Sequence, residues 1–194
     1  MSQSPLKLAV VLASVREGRF GPTVANWFVK QAQVRDDFEV DLIDLADHEL
    51  PYVLSQQPSA EVAEALAKVT PRLEQADAFV VVTPEYNHSF PASLKSLIDW
   101  HYTQWQAKPV GFVSYGGLSG GLRSAEQLRP IFAELHAVTV RDAVSFHVAW
   151  EQFDANGEPK DEVAPAAAAT TLLDQLSWWG DTLREGRARR PYGK

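Results

Sequence analysis

A chain of 194 residues with 45% hydrophobic content can bury one good core, so a single domain over 1–194 is the expected organisation. The absence of Cys excludes a disulfide framework, a thiolate metal site and a Cys nucleophile, and the five His show no HExxH-type pairing for a metal. A formal charge of −7 and a pI near 5.2 argue against nucleic acid as the main partner, and no apolar run approaches the roughly 18 residues of a membrane span. Met1-Ser2-Gln3-Ser4 does not read as a signal-peptide n-region, so a cytoplasmic location is expected.

Leu6-Lys7-Leu8-Ala9-Val10-Val11-Leu12-Ala13 reads as a first buried strand. Pro22 opens a helix whose apolar face is Val24, Trp27, Phe28 and Ala32. Phe38, Val40 and Leu42 alternate with polar residues and predict a second strand nearer an edge. Val62, Leu66, Val69, Leu73 and Ala76 mark a second helix, kinked or shifted at Pro71. The run from Asp77 to Thr83 carries a β-branched triplet and predicts a strand buried on both faces. A helix from Ser89 to about Trp100 follows, with Ser89 as its cap, Pro91 early in it, and Leu94, Leu97 and Ile98 on its apolar face. Val110–Tyr115 is a fourth strand, and Leu122, Ala125, Leu128, Phe132 and Leu135 line the next helix, with Pro130 irregular within it. A short strand lies within Val138–Val148, a turn at Asn156-Gly157, and a last helix carries Leu172, Leu176, Trp179 and Leu183. The end of the chain, 185–194, is expected as a flexible basic tail.

Strands alternating with helices imply a parallel sheet covered on both faces. The length and right-handed crossovers favour a flavodoxin-like three-layer α/β sandwich with strand order 2-1-3-4-5. In that order three loops converge at the carboxyl ends of strands 1, 3 and 4. The first, Ser14 to Thr23, combines hydroxyls (Ser14, Thr23), cations (Arg16, Arg19), Gly18 and Gly21 with a helix start, a composition that suits a phosphate. It is neither a Walker loop nor a GxGxxG turn. The second, Pro84-Glu85-Tyr86-Asn87-His88-Ser89-Phe90-Pro91, offers aromatic surface beside polar groups, the mixture a flat heteroaromatic ring needs, with Phe90 reading as core. The third, Tyr115-Gly116-Gly117-Leu118-Ser119-Gly120-Gly121, exposes main chain on which a ring can lie. It also spells G-x-S-x-G between a strand and a helix, so a serine hydrolase using Ser119, Asp142 and His147 is an alternative.

These motifs, Ser14-Val15-Arg16-Glu17-Gly18-Arg19, Thr83-Pro84-Glu85-Tyr86-Asn87 with Leu94–Trp100, and Ser114–Gly117 through Arg123, occur in one order over roughly Leu6 to Leu135. In them the chain resembles the NADPH-dependent FMN reductases of flavodoxin-like fold, a group that includes quinone, azo-dye and chromate reductases. The first strand here ends in Ala13-Ser14 where the family often has Gly-Ser, and Phe20 and Thr23 stand where many relatives carry Ser and Asn. The resemblance implies bound FMN, with its phosphate held by Ser14, Arg16, Arg19, Phe20, Gly21 and Thr23. It places the ring against Pro84, Glu85, Tyr86 and Asn87, with Gly116, Gly117, Ser119, Gly120 and Gly121 at the other polar edge. It also implies a homodimer or homotetramer, with NADPH or NADH as co-substrate. The expected reaction is ping-pong hydride transfer through FMN to a small acceptor: a quinone, flavin, azo compound or metal oxyanion. No catalytic side chain is assigned. Tyr86 is expected to shape the acceptor pocket, His88 reads as a capping residue with reach toward that pocket as the alternative, and Arg123 is the candidate for the NADPH phosphate. A flavodoxin-type electron carrier, or a flavin sensor without pyridine-nucleotide turnover, is the further alternative.

Overall fold

The computed structural model describes residues 4–193. The segment 1–3, on which the signal-peptide expectation falls, and residue 194 lie outside the described residues. Five strands, β1 (Leu6–Leu12), β2 (Phe38–Asp44), β3 (Ala78–Pro84), β4 (Pro109–Tyr115) and β5 (Val138–Phe146), pair in parallel in the order β2-β1-β3-β4-β5. This is the expected sheet, with the unbroken apolar strands β3 and β4 buried along their whole length inside it. The half-exposed β2, whose Val40 and Leu42 are only partly covered, forms one edge.

The period-2 alternation of the strands divides the core into two layers. Leu8, Val10, Leu12, Val80 and Val82 face helix α1 (Gly21–Gln33) and the long C-terminal helix α6 (Val163–Arg189). Ala9, Val11, Phe79, Val81 and Phe112 face α2 (Ala60–Gln75), α3 (Ala92–Trp100) and α4 (Leu122–Glu134). Four fully buried rings, Phe79, Trp105, Phe132 and Phe112, pack in series on that second face at centroid distances of 4.7, 5.4 and 6.1 Å. Each such ring contributes roughly 1.5–3 kcal/mol by leaving water. Among the described residues no helix is long and apolar enough to cross a membrane.

Four details differ from the sequence reading. α2 runs without a break across Pro71, and α4 across Pro130. Each proline forfeits one helical hydrogen bond, but Val69 and Leu73, and Leu128 and Phe132, are fully buried on either side of it and hold the helix in place. α3 begins at Ala92, not at Ser89, because Ser89 is used elsewhere. It exchanges both backbone hydrogen bonds with Tyr86, at 2.8 and 3.0 Å, closing a tight turn over Asn87 and His88. A short helix α5 (Ala149–Gln152), which no periodicity announces, follows β5. Finally, the basic tail is a continuation of α6 as far as Arg189 rather than a flexible end. Arg187 donates to Asp77 at 3.1 Å and to the Ala107 carbonyl at 2.6 Å, which ties the helix to the amino end of the sheet. The loops that matter for function lie at the opposite end.

Candidate functional site

The connections leaving β1, β3 and β4 meet at the carboxyl edge of the sheet, fixed there by register: Leu12 lies beside Val82, and Pro84 beside Tyr115. Main-chain and side-chain bonds then tie the loops to one another. Ser93 at the start of α3 donates to the Ala13 carbonyl at 2.7 Å, and Glu85 N–H donates to the Tyr115 carbonyl at 3.2 Å. Tyr86 lies close enough to Arg16 and Arg19 to feel their charge. All three predicted loops are therefore joined at this one edge of the sheet.

The first loop leaves β1 at Ala13, exposes Val15 to Gly18, and enters α1 at Gly21. Arg19 N–H closes on the Arg16 carbonyl at 3.2 Å, and the N–H groups of residues 15–18 have no hydrogen-bond partner among the described residues. Beneath them Ser14 Oγ and the Tyr115 hydroxyl are buried under Gly21, and neither makes a well-formed hydrogen bond. A methyl group on Gly21 would stand 2.2 Å from Ser14 Oγ, so this helix start closes down onto the strand end only because residue 21 is glycine. Free amides, a hydroxyl with donor capacity to spare and the positive end of α1 are the donor set a phosphate monoester requires. Arg16 is exposed, and its side chain has no ion pair or hydrogen bond among the described residues. Thr23 sits half-buried one residue beyond Pro22, beside the Asn156-Gly157 turn.

Arg19 stands differently. Its guanidinium donates to both carboxylate oxygens of Asp44, at 2.5 and 2.6 Å, and to the Ser14 carbonyl at 2.5 Å. It braces the loop to the end of β2 instead of presenting a free cation. Burial pushes the Asp44 carboxyl up, but the hydrogen bonds from Arg19 and Ala46 N–H and the Arg19 charge outweigh it and hold it below the usual carboxylate range. Phe20 is likewise an anchor, its ring 5.5 Å from Phe153 and 6.4 Å from Tyr115.

In the second loop Tyr86 is half-buried, and burial raises its pKa. Asn87 and His88 are exposed at the turn tip, with φ of 49° and 74°. Positive φ at both central residues matches a type I′ turn, which Asn tolerates better than most residues. Phe90 packs onto the core, as its reading in the sequence requires. Gln127 of α4 holds the turn, donating to the His88 carbonyl at 2.7 Å and accepting from Ser89 Oγ at 2.6 Å. The Glu85 side chain is only 8% exposed and turns toward α4. It accepts from Arg123 N–H at 3.2 Å, from Arg123 Nη1 at 2.9 Å and from the Ser119 hydroxyl. Burial works against the charge, but these donors outweigh it and keep the carboxyl below its ordinary value. Glu85 thus caps α4 and joins the second loop to the third. Arg123, the candidate for an NADPH phosphate, is committed to this pair.

In the third loop the Gly120 carbonyl accepts from both Ser114 Oγ, at 2.9 Å, and Ser145 Oγ, at 2.8 Å. Gly121 turns into α4 at φ +81°, where an added methyl would meet Tyr115 N at 2.6 Å. Gly116 and Gly117 remain partly open to solvent. The hydrolase triad is not assembled. Asp142 is bonded to Arg141 and Gln175, His147 Nδ1 faces the Leu118 carbonyl at 2.9 Å, and Ser119 is bonded to Glu85. Without a Ser119–His147–Asp142 chain of hydrogen bonds the G-x-S-x-G spelling carries no nucleophile.

The sequence model for NADPH-dependent FMN reductase matches residues 6–151. The chain belongs to this family. An NAD(P)H-dependent FMN reductase of Schizosaccharomyces pombe is 35% identical over 132 residues, a match spanning 64% of each chain. An NAD(P)H:quinone oxidoreductase of Solanum tuberosum is 30% identical over 185 residues, 89% of this chain and 92% of its own. Among solved structures, the flavoenzyme NAD(P)H:(acceptor) oxidoreductase FerB of Paracoccus denitrificans shares the fold, with a TM-score of 0.69 at 23% identity over 91% of this chain and 98% of its own. The donor set of the first loop suits the phosphate of the group in this family's name, and the side-chain-free main chain of Gly116-Gly117 suits a flat ring.

Two neighbours of these loops escaped the sequence reading. Asp44 ends an edge strand as an ordinary acid, and only the fold brings it to Arg19. Trp150 stands on α5, where a four-residue helix leaves no periodic signal.

Proposed function

We propose that this protein is an FMN-dependent NAD(P)H oxidoreductase that passes two electrons to a small acceptor of the quinone class. The observation that carries the reading is the braced loop cluster: a phosphate-type loop with free amides, joined by hydrogen bonds to two loops whose glycines leave a partly open main-chain surface. FMN, when bound, would supply the redox chemistry, a two-electron exchange between NAD(P)H and the acceptor. In this reading Ser14, Arg16, Thr23 and the amides of residues 15–18 hold the phosphate. Gly21 and Phe20 shape that loop from beneath, and Arg19 keeps it in place. Pro84 to Asn87 and Gly116 to Gly121 hold the ring, with Glu85 and Ser119 acting on each other. The protein's part is binding, orientation and exclusion of water. The reading extends to a cytoplasmic homodimer or homotetramer.

The test is the visible spectrum of the purified protein reconstituted with FMN, followed in a stopped-flow instrument as NADPH and then a quinone are added. Rapid bleaching by NADPH and recovery on quinone are expected. Stable flavin binding without bleaching would instead mark an electron carrier, and failure to retain FMN would overturn the reading altogether.

A further inference from the structure

β5 ends at Phe146, and the chain then makes a turn that a β-branched residue rarely adopts: Val148 has φ 47° and ψ 52°. Such a backbone persists only where the surroundings over-determine it, and it concentrates at functional positions. Here its result is a row of hydrogen bonds to the Gly-rich loop. Val148 N–H donates to the Gly117 carbonyl at 2.8 Å, Ala149 N–H to the Gly116 carbonyl at 3.0 Å, and His147 Nδ1 faces the Leu118 carbonyl at 2.9 Å. Three consecutive carbonyls of the ring-bearing loop are thus held by three consecutive residues after β5. Trp150 follows directly. Its ring lies alongside Gly117, where an added methyl would come to 3.6 Å from Cη2, and the residue is 61% exposed.

The core does not need this indole. α5 is anchored by Ala149 and by Phe153, which is 5% exposed and packs 4.8 Å from Phe146 and 5.5 Å from Phe20. Trp150 is exposed on the same anchored turn, beside Gly117, which has no side chain. We infer that Trp150 forms an aromatic wall of the acceptor subsite, against which the planar ring of a quinone packs as it enters over Gly116-Gly117. This rests on the function proposed above. A large aromatic on a rigid turn loses little conformational freedom on binding, and it favours flat, neutral rings through offset or edge contact.

The test compares the FMN-bound wild type with Trp150→Ala, Trp150→Phe and Trp178→Ala, the last removing an exposed indole on α6. Each oxidised holoprotein is titrated with 1,4-naphthoquinone by calorimetry, and KM and kcat for the same quinone are measured with NADPH. Trp150→Ala is expected to weaken naphthoquinone binding about three- to tenfold, and to raise its KM in parallel, with flavin content unaltered. Trp150→Phe should recover most of the affinity, and Trp178→Ala should bind the quinone as wild type does. Unchanged quinone affinity in Trp150→Ala overturns the subsite. So does a loss that disappears at high protein concentration together with a fallen apparent mass, which would make Trp150 a subunit contact. A wild-type protein that retains no flavin overturns the proposed function itself, a separate failure.

Discussion

The two arginines of the first loop should fail in different ways when removed. Arg19 and Asp44 form a two-pronged ion pair with side chains only 18% and 20% exposed, and Arg19 also holds the Ser14 carbonyl. Hydrogen bonds to charged groups contribute about 1.5–3 kcal/mol net, and Arg19→Ala leaves Asp44 with only Ala46 N–H at 3.0 Å. A loss of about 2 kcal/mol follows, which for a chain of this size lowers the melting temperature of the flavin-free protein by about 4–8 °C. Asp44→Ala should cost a similar amount, and the double variant should show a coupling of about 1–2 kcal/mol. Arg16, exposed and unpaired among the described residues, should leave the melt of the flavin-free protein within about 0.5 kcal/mol of wild type when changed to Ala. Its loss should instead weaken FMN by a charge-assisted contact of about 1.5–3 kcal/mol, roughly ten- to 150-fold. Melts of the flavin-free proteins and FMN fluorescence titrations separate these outcomes. An Arg19→Ala protein with an unchanged melt, paired with an Arg16→Ala protein of unchanged FMN affinity, would refute the division of labour.

Lys108, 6% exposed, donates to the Leu73 and Glu74 carbonyls at 2.9 Å, and burial, aided by the Arg187 charge, draws its pKa down from 10.5 to about 8. Below that value both folded and unfolded chains are protonated and the folded chain carries the full desolvation cost. Between about 8 and 10.5 only the unfolded chain keeps the proton, so stability should rise with pH, relative to Lys108→Met, by up to about 3 kcal/mol. A flat difference in urea melts across that window would contradict it. Gly121→Ala forces a side chain onto φ +81° and against the Tyr115 main chain, so it should lose at least about 2 kcal/mol and most flavin binding. Gly18→Ala, with φ +63° but nothing within 4 Å, should pay only the conformational strain, about 1–2 kcal/mol by thermal melt. Glu85→Gln keeps an acceptor for Arg123 but loses the charge, and should destabilise by about 1.5–3 kcal/mol at neutral pH. Because the folded Glu85 carboxyl titrates below its ordinary value of 4.5, that difference should persist down to this pH and fade only beneath it.

The sheet was legible because its strands differ in kind. β3 and β4 are apolar throughout and central, β2 alternates and lies at an edge, and the lengths leave no room for a second sheet. The three converging loops followed from strand order. Pairing was not legible. Nothing in Arg19 or Arg123 separates a free cation from a brace, because Asp44 and Glu85 lie 25 and 38 residues away and meet them only through the fold. Ser89 misled for a local reason: it reads as a helix cap, yet Asn87-His88 ahead of it supports a turn at positive φ that claims its backbone. The tail misled because its arginines look solvated in sequence, while Asp77 and the Ala107 carbonyl await them at the base of the sheet.

In the proposed reading the braces account for how a chain of formal charge −7 would accept a phosphate. At physiological ionic strength, charges beyond about 8 Å are largely screened, so the distant acids matter less than the groups of the joined loops. Two of the three arginines in or beside these loops are neutralised in place by Asp44 and Glu85. Those pairs add little net charge but fix the loops before any ligand arrives, so binding need not order them. In the proposed reading the attraction that remains comes from Arg16, the amides of residues 15–18 and the start of α1, all in or beside the first loop. By contrast, Gly116, Gly117 and Trp150 present little charge and much flat surface. A ligand with a phosphate at one end and a planar ring at the other matches that gradient, whereas a free phosphate or a free ring would use only half of it.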